Sequence, residues 1–285
     1  MRPFGKTMLG LAAIAAASAT ALGSSTPALA NRSLVKSAKS WSYQLQGNVG
    51  RIANSHADLV VVDPDHAGSA TRFRSKPGGG RRAVIAYLSI GEAERGRPYW
   101  SSCCAGKHPS WLTGRTQGWA GNYVVKFWES GWKEIVKARA RKFLAMGYDG
   151  LYLDRVDTYE NTSAPGGSRN AMIAFVREVA SAARSTKGDA AILVQNAEEL
   201  LTSDSYISAI DGIAKEDLVH GVNHDGGRNP RGMVAESVGL LKRAKSRGKA
   251  IFVVEYLSGS SAARAAQEIR AMGFVPNFAG RSLSN

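Results

Sequence analysis

Two acidic residues that follow short apolar runs are the side chains of this sequence best suited to chemistry. Asp154 ends the run Leu151–Leu153, and Glu216 ends a run that begins at Ile210. Carboxylates at the carboxyl ends of parallel strands converge at one mouth of a fold. Two acids in one partly desolvated mouth cannot both stay ionised, so the pair supplies an acid and a base. Hydrolysis of a glycosidic bond requires such a pair.

The interpretation of Asp154 depends on the strand that carries it. Side chains alternate along a strand, so Tyr152 and Asp154 are predicted to share one face while Leu151 and Leu153 share the other. The alternative is that Asp154 only caps the segment that follows. Other polar residues follow predicted strands and are expected at the same mouth: Gln44, Gln46, Asp63, Asp65, Ser89, Glu92, Glu94, Asp157, Asn196, Glu255, Tyr256 and Asn277.

Eight β-like runs, with helical patterns between most of them, position these residues. The runs span 42–46, 59–63, 84–89, 151–154, 192–196, 210–216, 251–255 and 274–277, and the clearest helices span 131–146, 169–185, 231–246 and 262–272. Ser130 is predicted as the N-cap of the first of these helices, and Gly147 as its C-terminal stop. Strand and helix alternation predicts a parallel α/β sheet, and eight strands predict a single (β/α)8 TIM barrel. A doubly wound open sheet is the competing architecture.

One connection, after the third predicted strand, is long and rich in tryptophan. The segment from Glu92 to about Ser130 contains Tyr99, Trp100, Trp111, Trp119, Tyr123 and Trp128. Long loops in compact domains are usually functional or disordered, and the tryptophans argue against disorder. We expect these aromatic residues to divide between stacking on sugar rings and packing against the barrel.

The first thirty residues have the pattern of a secretory signal peptide. Arg2 and Lys6 precede an apolar stretch, and Ala28–Ala30 is a small-residue cleavage site. Cleavage near Ala30 leaves residues 31–285, which is 255 of the 285 residues and suits one barrel of roughly 250 residues. No later stretch reaches the roughly 20 apolar residues of a membrane span. The sequence therefore predicts a soluble, secreted protein, which we expect to be a monomer.

The chain is strongly basic. The formal net charge is +14, and removal of Arg2 and Lys6 with the signal peptide leaves +12. Such a surface favours polyanions, so an anionic envelope or matrix is one expected partner, while a solvated basic surface is the alternative. The basic residues form no nucleic-acid recognition motif, and no specific nucleic-acid partner is expected.

The two cysteines, Cys103 and Cys104, are adjacent. We predict a strained disulfide between them, with free thiols as the alternative, and assign them no catalytic role. The sequence has no nucleophile elbow, phosphate-binding loop or dinucleotide fingerprint. Its histidines do not follow strands, which disfavours a metal-dependent deacetylase. No metal and no cofactor is therefore predicted.

Several strings resemble exported glycoside hydrolases similar to endo-α-1,4-polygalactosaminidase, family 114 and its bacterial relatives. They are YLSIGEAERGRPYW (87–100), MGYDGLYLDRVDTYE (146–160), VQNAEEL (194–200), the Glu216 strand, VVEYL (253–257) and the terminal FVPNFAGRSL. The resemblance spans nearly the whole mature chain and implies a TIM barrel that cleaves α-1,4-linked galactosaminoglycans with retention. It departs at Tyr152-Leu153, where characterised members carry Glu-Pro, and at Asp217, where they carry Cys.

The resemblance also implies roles for particular residues. Asp154 matches the family's nucleophile and Glu216 its general acid/base, although the reverse assignment stays open. Asp63, Tyr87, Glu92, Asp157, Asn196, Glu255 and Tyr256 are the implied substrate-binding residues. A de-acetylated galactosamine polymer is cationic and would be repelled by a chain at +12. Either the substrate is largely acetylated or anionic, or the basic surface lies away from the mouth.

Two other functions remain open at this stage. A glycan-binding barrel without turnover would use the tryptophans of the long connection as a platform. Non-specific nucleic-acid binding would give an affinity that collapses with added salt.

Overall fold

A computed structural model describes residue 1, residues 31–118 and residues 120–284. Its strands are β1 (Trp41–Gln44), β2 (Leu59–Val62), β3 (Ala83–Ser89), β4 (Glu92–Glu94), β5 (Leu112–Arg115), β6 (Asn122–Val125), β7 (Gly150–Asp154), β8 (Ala191–Gln195), β9 (Gly212–Glu216), β10 (Ala250–Glu255) and β11 (Val275–Phe278). Its helices are α1 (Asn31–Ser37), α2 (Val49–Ala53), α3 (Pro64–Ala67), α4 (Trp100–Cys103), α5 (Ser130–Ala145), α6 (Ser168–Thr186), α7 (Asp204–Ala209), α8 (Arg231–Ser246) and α9 (Gly259–Ala271). Short 3-10 segments span Ala70–Phe73, Val156–Asn161 and Glu198–Thr202.

Eight of these strands form a parallel barrel. They are hydrogen-bonded in the order β1-β2-β3-β7-β8-β9-β10-β11. The two end strands lie side by side, since the indole N–H of Trp41 donates to the carbonyl oxygen of Val275 at 3.0 Å. The predicted TIM barrel is confirmed, and each of the eight predicted strands falls within two residues of an observed one. The competing open sheet is wrong.

Alternation along the strands produces two separate apolar cores. Trp41, Tyr43, Tyr152 and Phe252 fill the barrel interior, with ring centroids 5.1–6.4 Å apart. The outward-facing residues, among them Leu151 and Leu153, pack against the helices in the larger core. The predicted opposition of Tyr152 to its two leucine neighbours is therefore confirmed.

Helix α1 packs under the amino-terminal end of the barrel. Val35 is fully buried in the interior core. The backbone N–H of Asn31 donates to Asp189 at 2.9 Å, and Arg32 donates to Asp211 at 2.7 Å. Because Asp189 and Asp211 precede strands β8 and β9, this contact lies at the amino ends of the strands. The opposite, carboxyl end is left to form a site.

The segment after β3 is a folded insertion. Strands β4, β6 and β5 form a three-stranded antiparallel sheet, and Cys103 and Cys104 form a disulfide, as predicted. Trp100, Trp111 and Trp128 pack on the outer core, which is the packing role expected for part of the aromatic residues, while sugar stacking by others stays a prediction. The small sheet is too small to bury these rings by itself, so they are buried against the outer core of the barrel beside it. Trp119 lies outside the described residues.

The four predicted long helices are present within three residues of their predicted ends. One detail is wrong: Glu129 occupies the N-cap position of α5, and Ser130 is the first helical residue, without a capping side-chain bond. Gly147 has φ +94°, as a glycine beyond a helix end permits. The predicted signal peptide, residues 1–30, lies outside the described residues apart from residue 1. Within the described ranges, no helix is long and apolar enough to cross a membrane.

Candidate active site

A cleft of about 610 Å³ opens at the carboxyl ends of the barrel strands. Seven of the nine residues that the sequence singled out lie on it: Asp63, Tyr87, Glu92, Asp154, Asn196, Glu216 and Tyr256. A volume of this size lies within the range of small-molecule and sugar sites. Residues from six strand ends therefore meet at one place, as the barrel topology requires.

Asp154 stands at the tip of β7 and is held by two donors. The hydroxyl of Tyr87 donates to its Oδ2 at 2.6 Å, and the backbone N–H of Arg155 donates to its Oδ1 at 2.7 Å. Burial, and then the negative charge of Glu216, raise the pKa of Asp154 to about 7. The two hydrogen bonds oppose this rise because they favour the ionised form. Asp154 is therefore poised between its two protonation states near neutral pH.

Glu216 stands at the tip of β9 and is held by a different pair of neighbours. The hydroxyl of Tyr256 donates to Oε1, and the side-chain amide of Asn196 donates to Oε2 at 3.1 Å. The backbone N–H of Glu216 donates in return to the amide oxygen of Asn196 at 3.0 Å. Burial, and then the charge of Glu216, raise the pKa of Tyr256 well above its usual value. Tyr256 therefore remains a proton donor at any ordinary pH.

Strand β8 separates the strands of the two acids. Two interstrand spacings place their backbones about 10 Å apart, and both side chains point into the same cleft. Neither acid forms an ion pair with a Lys, Arg or His of the described ranges. The cleft thus holds two carboxylates that are hydrogen-bonded but not neutralised.

Left-handed backbone follows each of three neighbouring strands. Arg155 after Asp154 has φ +59°, Asn196 and Ala197 after β8 both have φ +56°, and Asp217 after Glu216 has φ +50°. Such conformations are uncommon for residues with a side chain and persist where the surrounding structure imposes them. Each one turns the chain immediately after a strand. The preceding side chain consequently stays aimed into the cleft.

The other acids on the cleft are neutralised by arginines. Arg97 pairs with Asp63, whose other oxygen caps α3 by accepting the N–H of Asp65 at 3.0 Å. The guanidinium of Arg155 lies 2.9 Å from Glu92, and Asn122 also donates to Glu92 at 3.0 Å. These acids hold the insertion and the strand-end loops in place, and their charge is taken up by the pairing.

Two predicted site residues do not lie on the cleft. Asp157 falls in the 3-10 segment after β7, where its carboxylate is 3.6 Å from the guanidinium of Arg155. Glu255 is fully buried, and accepts the backbone N–H groups of Val219 and His220 at 2.7 and 3.1 Å. Burial raises the pKa of Glu255 to about 7. The last residue of a strand does not always point inward, and Glu255 instead anchors the loop that follows β9.

Several cleft residues escaped the sequence reasoning. Tyr43 donates to Gln195 at 3.1 Å on the cleft floor. Each follows an interior residue of its own strand, Trp41 or Leu193, by two positions and so faces inward as well. That alternation was a signal available in the sequence. Arg97 and Arg281 had no comparable signal, since one comes from the insertion and the other from the segment after the last strand.

A barrel whose mouth holds two separate, unneutralised carboxylates is built for acid and base catalysis at one bond, as in glycosidases. No cluster of three or more metal-ligating side chains occurs in the described ranges. The architecture and the acid pair thus define the class of TIM-barrel glycoside hydrolases.

Comparison with known proteins agrees with this class. A sequence model of the glycoside-hydrolase family GH114 matches residues 23–285, and the chain belongs to that family. An uncharacterised protein of Deinococcus radiodurans is 33% identical over 253 residues, covering 85% of this chain and 80% of that protein. An uncharacterised protein of Thermotoga maritima is 33% identical over 235 residues, covering 78% and 72%. The predicted family and enzyme class are confirmed.

Solved structures share the fold at low sequence identity. The glycoside hydrolase domain of PelA from Pseudomonas aeruginosa has a TM-score of 0.68 at 19% identity, over 87% of this chain and 97% of that chain. Aspergillus fumigatus Ega3, solved in complex with galactosamine, has a TM-score of 0.65 at 20% identity, over 87% and 93%.

Proposed function

We propose that the chain cleaves an amino-sugar polysaccharide of the α-1,4-linked galactosaminoglycan type by double displacement, with Asp154 as nucleophile and Glu216 as general acid/base. The observation that carries the proposal is the unneutralised acid pair on one cleft, each member held by a tyrosine hydroxyl. Carbohydrate chemistry follows from the family. The amino-sugar class is supported by the galactosamine found with Ega3.

Hydrogen bonds orient both carboxylates for this reaction. Asp154 would attack the anomeric carbon while protonated Glu216 gives its proton to the leaving glycosidic oxygen, which forms a glycosyl ester. Glu216 would then take a proton from water, which attacks the same carbon and releases Asp154 as carboxylate. Tyr87 and the N–H of Arg155 keep the nucleophile oriented. Tyr256 and Asn196 do the same for the acid/base.

Charge distribution supports a cationic sugar in this cleft. The basic residues are concentrated on four helices that lie on the outside of the barrel, α5, α6, α8 and α9. Together these helices carry fourteen Lys and Arg residues but only four Glu residues. The cleft is lined instead by five carboxylates and four arginines. Three of the four arginines are paired with carboxylates, so the negative charge shared by Asp154 and Glu216 dominates the local field. An ammonium group is thus attracted where it would bind, despite the basic surface elsewhere.

The outer basic face supports the expected attraction to an anionic envelope or matrix. Two adjoining shallow surface depressions run along α6 and share Ser181 and Ser185. Arg141 and Arg177 line them and form no ion pair with described residues. If residues 1–30 direct export, as the sequence predicts, this basic face would favour binding of the enzyme to an anionic surface. Arg141→Glu with Arg177→Glu should weaken binding to an anionic polysaccharide at low salt and leave hydrolysis unchanged.

The test of the function is hydrolysis of a panel of glycans, with new reducing ends as the measurement. Galactosaminoglycan oligosaccharides of graded acetylation should be cut by the wild type. Asp154→Asn and Glu216→Gln should each lose at least about a hundred-fold in kcat. Glu134→Gln, which changes an exposed acid on α5, is the matched control and should keep full activity.

Binding without turnover would instead indicate the glycan-binding barrel. The described tryptophans pack on the outer core, so the platform that this alternative needs is not formed by them.

A further inference from the structure

The segment that follows the last strand forms one wall of the cleft. Arg281, Ser282 and Leu283 line the cavity. The carbonyl oxygen of Leu283 accepts the backbone N–H groups of Leu45 and Gln46 at 2.8 and 3.0 Å. These bonds attach the segment to the loop after β1. The wall is therefore fixed to the barrel at its opening.

Arg281 contacts two residues that adjoin Glu216. Its guanidinium carbon lies 4.5 Å from the centre of the Tyr256 ring. Its two terminal nitrogens lie 3.1 and 3.2 Å from the two oxygens of Asp217, and Nε donates to Asp225. Asp217 is the residue directly after Glu216, and Tyr256 donates to the carboxylate of Glu216. One side chain thus contacts both the backbone neighbour and the hydrogen-bond donor of Glu216.

We propose that Arg281 is a positioning residue for the acid/base, which confines the Tyr256 ring so that its hydroxyl points at Glu216. The inference rests on the proposed function of this cleft. A planar guanidinium over an aromatic face restricts rotation of the ring, and its fork fits the carboxylate of Asp217. Because Asp217 and Asp225 neutralise its charge, Arg281 acts through orientation. A direct field on Glu216 contributes little.

Orientation of the hydroxyl should affect the rate. A donor that drifts by about 1 Å can cost a hundred-fold in rate. In the proposed first step the proton of Glu216 must be aimed at the leaving oxygen. Loss of the hydroxyl's orientation should therefore lower kcat much more than it changes KM when Arg281 or Tyr256 is changed.

A double-mutant cycle tests this relay. Arg281→Met should lower kcat by about ten- to a hundred-fold with KM changed less than about three-fold. Tyr256→Phe should do the same. The double variant should be no slower than Tyr256→Phe alone, because the arginine would act only through the phenol. Arg281→Lys keeps the charge but not the planar contact, and should not restore the rate.

Other outcomes separate the explanations. Arg264→Met, an exposed change on α9, is the control and should match the wild type. Losses that multiply in the double variant, or a change confined to KM, would show that Arg281 contacts substrate and would overturn the proposal. Rotation of the Tyr256 ring, followed by NMR in labelled protein, gives a readout without substrate, and it should be faster in Arg281→Met than in the wild type or in Arg264→Met. An inactive wild type with that faster rotation in Arg281→Met would reject the proposed function and keep the positioning role of Arg281.

Discussion

The free acid pair should lower the stability of the fold, and replacing Asp154 by Asn should recover part of it. Burial and the charge of Glu216 raise the pKa of Asp154 from 3.8 to about 7. A rise of about 3 units, at 1.36 kcal/mol per unit, corresponds to about 4 kcal/mol when the group is fully ionised. Cleft water screens part of this, and the new amide needs an acceptor. We therefore expect a gain of about 1–3 kcal/mol.

The sign of the pH dependence follows from the direction of the shift. An acid with a raised pKa costs nothing below its unfolded value, because it is protonated in both states. The cost grows as the pH rises from about 4 and is complete above about 7. Asp154→Asn should therefore equal the wild type in unfolding free energy near pH 4 and exceed it at pH 8. Glu255, with a pKa also near 7, is present in both proteins and cancels.

Urea unfolding of both proteins at pH 4.5, 6 and 8 measures this difference. Glu134→Gln removes an exposed acid from α5 and should show no pH-dependent gain. Asp149→Asn is the opposite control: Asp149 is fully buried but forms ion pairs with Arg81 at 2.8 Å and Lys187 at 3.4 Å. Its loss should cost about 3–5 kcal/mol. A difference between Asp154→Asn and wild type that is constant across pH would refute the reasoning.

Three further outcomes are expected. Asp154 as nucleophile must be ionised, so kcat/KM should rise with pH through about 7, which gives the acidic limb of the pH-rate profile. Tyr87→Phe removes a hydrogen-bond donor to the Asp154 carboxylate and should move this acidic limb to higher pH. With a free-amine glycan the corresponding limb in kcat should lie at lower pH than in kcat/KM, since a bound ammonium favours the carboxylate; an acetylated glycan should show no such displacement. Ala197→Gly should leave the midpoint of urea unfolding unchanged or higher because φ is +56° there, while Ala182→Gly inside α6 should cost about 1 kcal/mol.

The barrel could be predicted from the sequence because its determinants are local. Strand tips such as Asp154 and Glu216 are marked by short apolar runs that end in an acid, and α5, α6, α8 and α9 by their periodicity. Parallel topology then places the tips together. Glu255 shows the limit of this argument. Its position at a strand end was readable, but the loop amides that turn it away from the cleft lie at 219 and 220.

The arginines could not be predicted for a different reason. Arg97 and Arg281 lie in segments without periodicity. Arg97 is held at the cleft by Asp63, which is 34 residues away along the chain, and Arg281 by Asp217, which is 64 residues away. Salt-bridge partners at such separations follow only from the assembled fold. The tryptophans show the same limit: their composition suited both sugar stacking and packing, and which of the two a given ring does is decided by the surface that lies beneath it.

The two strands that carry the proposed catalytic acids show how the fold separates stability from chemistry. Asp149 immediately precedes β7 and Asp211 immediately precedes β9. Both are fully buried at the amino-terminal end of the barrel, opposite the cleft. Asp211 forms ion pairs with Arg32 at 2.7 Å and Arg184 at 3.0 Å, as Asp149 does with its own cations. At the other end of the same strands, Asp154 and Glu216 have tyrosine hydroxyls in place of cations. A hydroxyl orients a carboxylate without supplying a positive charge, so Asp154 and Glu216 are oriented but not neutralised, whereas Asp149 and Asp211 are held in ion pairs. The choice of partner, rather than the acid itself, makes one end of each strand structural and the other reactive.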